Sequence, residues 1–167
     1  REAAGTNRAF FARHLRAPFA VLRVPRADAP DPDAEIRAFA GEIRRAGGMD
    51  LCVLGIGGNG HIAFNEPGSE RASRARAVEL RAESRQAHAA AFGSLDAVPR
   101  IGMTLGIADI LEARTILVLA SGAGKAAIVA RAIKGDASAD VPASWLREHP
   151  DVTWLLDEAA ASGLTRS

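Results

Sequence analysis

Leu51–Pro67 reads LCVLGIGGNGHIAFNEP, an apolar run that breaks into four glycines within six residues. Leu51, Cys52, Val53 and Leu54 are apolar and partly β-branched, with Gly47 and Gly48 before them and the glycines after, so the run predicts a buried strand. A loop must follow. Gly55, Gly57, Gly58 and Gly60 admit positive φ angles and the close approach of a ligand, which makes Gly58 and Gly60 candidate contacts to an anion or a sugar. His61 and Glu66 then fall just past a strand's carboxyl end, where open α/β sheets bind their ligands.

A neutral imidazole accepts a proton near pH 7, and a nearby carboxylate fixes its tautomer and stabilises its charged form. His61 and Glu66 are therefore a candidate base and orienter, suited to moving protons between hydroxyl groups, unless His61 is only a hydrogen-bonded loop residue and Glu66 a solvated charge.

GIGGNGHIAFNEPGS, residues 55–69, resembles the signature of the glucosamine-6-phosphate deaminases, enzymes that convert glucosamine 6-phosphate and water into fructose 6-phosphate and ammonia. The resemblance implies a deaminating hydrolase/isomerase in which His61 is the ring-opening acid/base, Glu66 its carboxylate partner, and Asn59 stands where family members carry Asp or Asn. Asn59 cannot titrate, so its contribution is hydrogen bonding. No cofactor is implied, and the partner is a small-molecule sugar phosphate.

The 167 residues suit one domain, residues 1–167. Twenty-one Lys plus Arg against twenty Asp plus Glu leave a net charge of +1, which argues against a nucleic-acid or membrane surface. Cys52, the single cysteine, offers neither a disulfide framework nor a metal cluster, reads as a small core hydrophobe, and suits a reducing cytoplasm. No apolar stretch has membrane-spanning length and the N-terminus shows no signal-peptide pattern, so the expectation is a soluble cytoplasmic protein.

Outward from the central run, Thr6 or Asn7 predicts the cap of a helix bearing Phe10, Phe11 and Leu15 that ends near Pro18, and Phe19–Val24 predicts a strand. ADAPDPDAEIRAFAGEIRRAGG then predicts a helix entered through Pro and Asp, with Ile36, Phe39 and Ile43 on its apolar face and a stop at Gly47. Helix, strand, helix, strand is the pattern of a parallel sheet with helical crossovers, and the fold class expected is α/β: a doubly wound, mostly parallel, Rossmann-like sheet with helices on both faces.

Beyond Pro67 an arginine-rich, then extended segment leads to a helix, AESRQAHAAAFG, closed by Gly93. Arg71, Arg74, Arg76, Arg81 and Arg85 read individually as a solvated face balanced by Glu70, Glu79 and Glu83. In the deaminases this region is a mobile lid with a phosphate-binding arginine; Ala90 falls at that place here, leaving Arg81 or Arg85 as substitutes. Ser69 and Arg76 match positions of an allosteric phosphate site, but Val78 replaces a lysine, so no such allostery is expected.

VPRIGMTLGIADILEA predicts an apolar stretch around Met103 and a helix over Ile107–Ala113, and TILVLA, Thr115–Ala120, predicts a second buried strand. SGAGKAAIVARAIKG places Ser121, Lys125 and free amides at a helix start, a phosphate-binding arrangement in principle, though not a Walker A motif. The resemblance makes Lys125 the phosphate-binding lysine. A short helix around Trp145 and Leu146, a terminator at Pro150 and a strand over Val152–Leu156 complete the chain, with Trp145 and Trp154 in packing roles and His149 at a helix end.

The deaminases begin with further elements that carry a second phosphate loop and the aspartate that serves as enolisation base, and neither precedes Arg1 here. The sheet edge and helix faces that this part covers would be open to aggregation or to a partner, a homo-oligomer included. Two other readings remain. A 6-phosphogluconolactonase resembles GxxxDGHxASLFP in this loop, whereas the chain reads NGHIAFNEP; a non-catalytic sugar-phosphate sensor of the same fold usually lacks the His and Glu pair.

Overall fold

The computed structural model describes residues 11, 13, 14 and 22–164. The helix expected after Thr6 or Asn7 falls outside these residues except for Phe11, Arg13 and His14, which are helical. Of the strand expected over Phe19–Val24, residues 19–21 lie outside them too, and Leu22–Val24 form no strand.

Helix α1, Pro32–Arg45, starts where the sequence predicts. The Asp31 carboxylate accepts hydrogen bonds from the amides of Asp33 (3.0 Å) and Ala34 (2.9 Å), Pro32 occupies the first turn, and acids at that end and Arg44 and Arg45 at the other complement the helix dipole. Gly47, at φ +99°, turns the chain out of the helix as the Gly48 amide bonds the Ile43 carbonyl at 3.0 Å. Ile36 and Ala40 are buried against Ala75.

Three strands form a parallel sheet in the order β1–β4–β5: β1 is Leu51–Gly55, β4 Thr115–Ala120 and β5 Val152–Leu156. Leu54 pairs with Val118, and Val118 with Trp154. Cys52, Leu54, Ile116 and Val118 pack against α3 (Ile107–Leu111), α4 (Ala126–Lys134) and a 3-10 segment, Pro142–Glu148, whose buried Ala143 and Leu146 close the core. A mostly parallel sheet flanked by helices is the α/β class expected from the sequence.

The central run is not buried on both sides, however. Leu51 and Val53 remain 54% exposed and Leu155 58%, because alternate residues of a strand face opposite ways and, among the described residues, the helices cover only one of those faces. A run apolar at every position mimics a strand buried twice over while being buried once.

The middle of the chain adds an antiparallel pair, β2 (Arg76–Glu79) and β3 (Ile101–Thr104), joined through α2 (Ala82–Phe92). The arginines before β2 find partners far along the chain and not in Glu70, Glu79 or Glu83: Arg71 pairs with Glu148, and Arg74 with Glu112 and, at 3.1 Å, with Asp109. Asp109 is buried at the start of α3, where it also accepts the Gly106 amide at 3.0 Å, so the pairing follows tertiary approach and not sequence spacing. No helix among the described residues is long and apolar enough to cross a membrane.

Candidate active site

β1 and β4 are parallel neighbours, so the loop after Gly55 and the loop after Ala120 leave the same edge of the sheet. His61 and Lys125 are thereby brought together from positions far apart in sequence: the Lys125 ammonium donates to the Ile56 carbonyl at 2.8 Å, and its charge is felt at the His61 ring. With three protons on the ammonium, two remain for another acceptor.

Within the turn, three side chains form a chain of hydrogen bonds. Nδ1 of His61 lies 2.8 Å from Oδ1 of Asn59, and Nδ2 of Asn59 donates to Oε2 of Glu66 at 2.8 Å. A carboxylate only accepts, so the Asn59 amide must present its nitrogen to Glu66 and its oxygen to His61; that oxygen also takes the His61 backbone N–H at 3.1 Å. The proton of neutral His61 therefore sits on Nδ1, and Nε2 is left with a lone pair. Glu66 is not the direct orienter of the ring. Asn59 is, while Oε2 of Glu66, 3.5 Å from Nδ1, supplies the charge.

The electrostatics favour the neutral form of His61. Burial is the largest influence and lowers its pKa below the ordinary histidine value; Glu66 opposes this, and Lys125 and His88 reinforce it. His88, on α2, meets Phe64 edge-on with 6.1 Å between ring centroids.

The backbone around these groups explains the glycines and the Asn-Glu pair. A Cβ on Gly57 would lie 2.2 Å from the imidazole, so the ring packs directly on that residue. Gly60 has φ +89° and a Cβ there would stand 2.8 Å from Val141. Gly58, by contrast, faces open space. Ala63 is held at φ +49°, unusual for a residue with a side chain, in a turn closed by the Ile62–Asn65 bridge. Asn65, fully buried, fixes that turn by donating to the carbonyls of Ile62 (3.2 Å) and Leu105 (2.8 Å), and Arg76 donates to its oxygen at 3.0 Å. Strain of this kind persists where the surroundings over-determine it.

Other expected residues lie elsewhere. Arg85 directs Nη2 to the carbonyls of Leu95 (2.9 Å) and Val98 (3.3 Å), in the loop after its own helix, and Arg81 donates to the Pro67 carbonyl at 2.6 Å. Arg76 spans Asn65 and Ser69. The amides at the start of the Lys125 segment are not all free, because β5 runs beside β4 and brings the Asp157 carboxylate onto the Gly122 N–H at 2.9 and 3.0 Å. His149 is buried: its Nδ1 accepts the Asp151 amide at 3.1 Å, so Nε2 donates to the Ala113 carbonyl at 2.7 Å, a purely structural arrangement. Ser84, invisible to motif reading, donates its hydroxyl proton to Oε1 of Glu66.

The fold and this edge define an α/β domain with a histidine turn at the carboxyl end of a parallel sheet. Residues 1–154 match the family described as glucosamine-6-phosphate isomerases/6-phosphogluconolactonase, and the chain belongs to that family. A glucosamine-6-phosphate deaminase of Rhodopirellula baltica is 52% identical over 124 residues, which cover 74% of this chain and 49% of that protein. One from Bacillus velezensis is 49% identical over 140 residues, 84% of this chain and 58% of that one. Among solved structures, a monomeric glucosamine-6-phosphate deaminase superposes with a TM-score of 0.81 at 45% identity, over 84% of this chain and 58% of that one. A 6-phosphogluconolactonase from Trypanosoma cruzi, with a TM-score of 0.64 at 22% identity, shares the fold. The chain thus spans 49–58% of the length of these deaminases.

Proposed function

We propose that the residues of this chain perform the ring-opening step of a glucosamine-6-phosphate deaminase on an amino-sugar phosphate. The observation that carries it is the His61–Asn59–Glu66 chain of hydrogen bonds, which leaves Nε2 of neutral His61 as the acceptor, beside a lysine at the sheet's carboxyl edge. Nε2 takes the proton of the anomeric hydroxyl, the bond from C1 to the ring oxygen breaks, and the proton returns to the departing oxygen. The product is the open-chain aldehyde, and the catalyst is unchanged. While His61 holds the proton, the Glu66 charge 3.5 Å from Nδ1 stabilises the imidazolium. Lys125 holds the phosphate through the two ammonium protons not given to Ile56. None of the described groups is assigned to the later proton transfer between C2 and C1, which precedes release of ammonia.

A lactonase shares this fold, and its chemistry needs a water activated by the same kind of histidine. Parallel assays of ring opening of glucosamine 6-phosphate, read as exchange between its anomers, and of lactone hydrolysis separate the two. Ring opening that His61→Ala slows by roughly 10² to 10⁴-fold supports the deaminase-type assignment. Lactone hydrolysis without accelerated ring opening overturns it.

A further inference from the structure

We propose that Ser84 is a positioning residue for Glu66, so that docking of α2 and orientation of the carboxylate behind His61 are a single event. The proposal rests on the roles given above to His61 and Glu66. Glu66 is buried and each of its oxygens accepts one side-chain hydrogen bond, Oε2 from the Asn59 amide and Oε1 from the Ser84 hydroxyl, while Oε2 also stands 3.5 Å from Nδ1 of His61. The first partner belongs to the same turn, whereas the second arrives from a different element.

Helix α2 makes that second partner informative. Ser84 is its single buried residue, 3% exposed, while most of its alanines face solvent. A helix usually docks through an apolar stripe, and this one has none. Arg85 ties it to its own following loop and His88 touches Phe64 by a ring edge. Ser84 is thus the buried link from the helix to the functional turn. Its neighbouring N-cap, Arg81, makes no side-chain capping bond, and a serine so near a helix start ordinarily serves the local backbone. Here the hydroxyl reaches a charged oxygen eighteen residues away, the stronger kind of hydrogen bond. When α2 lifts, Oε1 loses its donor and the carboxylate can rotate away from the ring.

The test uses the full chain in three forms: wild type, Ser84→Ala and Ser84→Thr. The titration of the His61 ring is followed by NMR, with ring opening of glucosamine 6-phosphate, read as exchange between its anomers, measured in parallel. The titratable and charged groups facing that ring are Glu66 in its own turn, Lys125 after β4 and His88 on α2. In Ser84→Ala the titration midpoint falls, because the anion that raises it is no longer held in place, and kcat drops on the order of ten-fold with KM nearly constant. Ser84→Thr restores both. A folded Ser84→Ala variant with the wild-type midpoint overturns the proposal, even where amide exchange in α2 quickens, since Ser84 would then only anchor a helix. Should Ser84→Ala not fold, Ser84→Cys keeps the size, weakens the donor and supplies the same comparison. Wild-type protein that does not speed ring opening of glucosamine 6-phosphate, read as exchange between its anomers, removes the reaction assignment, while the midpoints still decide the role of Ser84.

Discussion

The two faces of the β1–β4–β5 sheet are made from the same strands and meet opposite surroundings. One face puts Cys52, Leu54, Ile116 and Val118 against α3, α4 and the 3-10 segment; the other leaves Leu51, Val53, Leu119 and Leu155 exposed. Hydrophobicity does not distinguish them, since both are apolar. What differs is the helix cover, so the core that supports the histidine turn is one-sided among the described residues, and side-chain volume matters on one side far more than on the other.

The largest expected effect follows from that contrast. Ile116→Ala removes fully buried methylenes and should cost about 3 kcal/mol, a fall in melting temperature of roughly 6 to 12 °C, whereas Leu155→Ala should stay within about 0.5 kcal/mol. Equal losses in calorimetry would show that the exposed face is covered in solution.

The same contrast of filled and open space recurs in the glycine loop. Gly57→Ala drives a methyl group into the imidazole, and ring opening of glucosamine 6-phosphate should slow by about 10²-fold, while Gly58→Ala, which meets open space, should change it less than about two-fold. A Gly57→Ala protein with full activity would mean that the ring works in another position.

A third difference is in pH. Burial depresses the folded-state pKa of His61 below its unfolded value of about 6.5. The unfolded chain therefore takes up this proton first, so the contribution of neutral His61 to stability is complete above that value and is lost as the pH falls below it. Denaturant midpoints should decline more steeply from pH 7 to 5.5 in the wild type than in His61→Gln; matching slopes would remove this cause. The smallest perturbation is chemical labelling. The Cys52 thiol, pushed up to about 11 by burial, should resist a thiol reagent at pH 8 until the protein unfolds, whereas a cysteine introduced as Val53→Cys, with Cys52 replaced by Ala, should react at once.

Much of this was legible in the chain. An apolar run between glycines marks β1, one that leads into a glycine loop marks β4, Asp31 and Pro32 mark the entry to α1, and Val152–Leu156 is a strand as its pattern predicts. His61, Asn59 and Glu66 are close in sequence, so their turn could be read locally. Ser84 could not: a hydroxyl within AESRQAHAAAF becomes meaningful only when β2 and β3 carry its helix over Glu66. The signal available was indirect, a helix with too weak an apolar face to dock by burial alone. The partners of Arg71 and Arg74 were hidden for the same reason, and the exposed sheet face was hidden because a strand's sequence records what a face is made of and not what stands opposite it.

The histidine turn is held from the far end of the chain. The Ala143 amide bonds the Gly60 carbonyl at 2.9 Å, the Gly68 amide bonds Ala139 at 2.8 Å, and the Trp145 indole bonds Ser69 at 3.2 Å. During synthesis the turn leaves the ribosome well before residues 139–145 do, and for those seconds it has no buttress. Its geometry therefore waits on residues 139–145, and a chain that ends before Ala139 lacks these three bonds to the turn as well as β5.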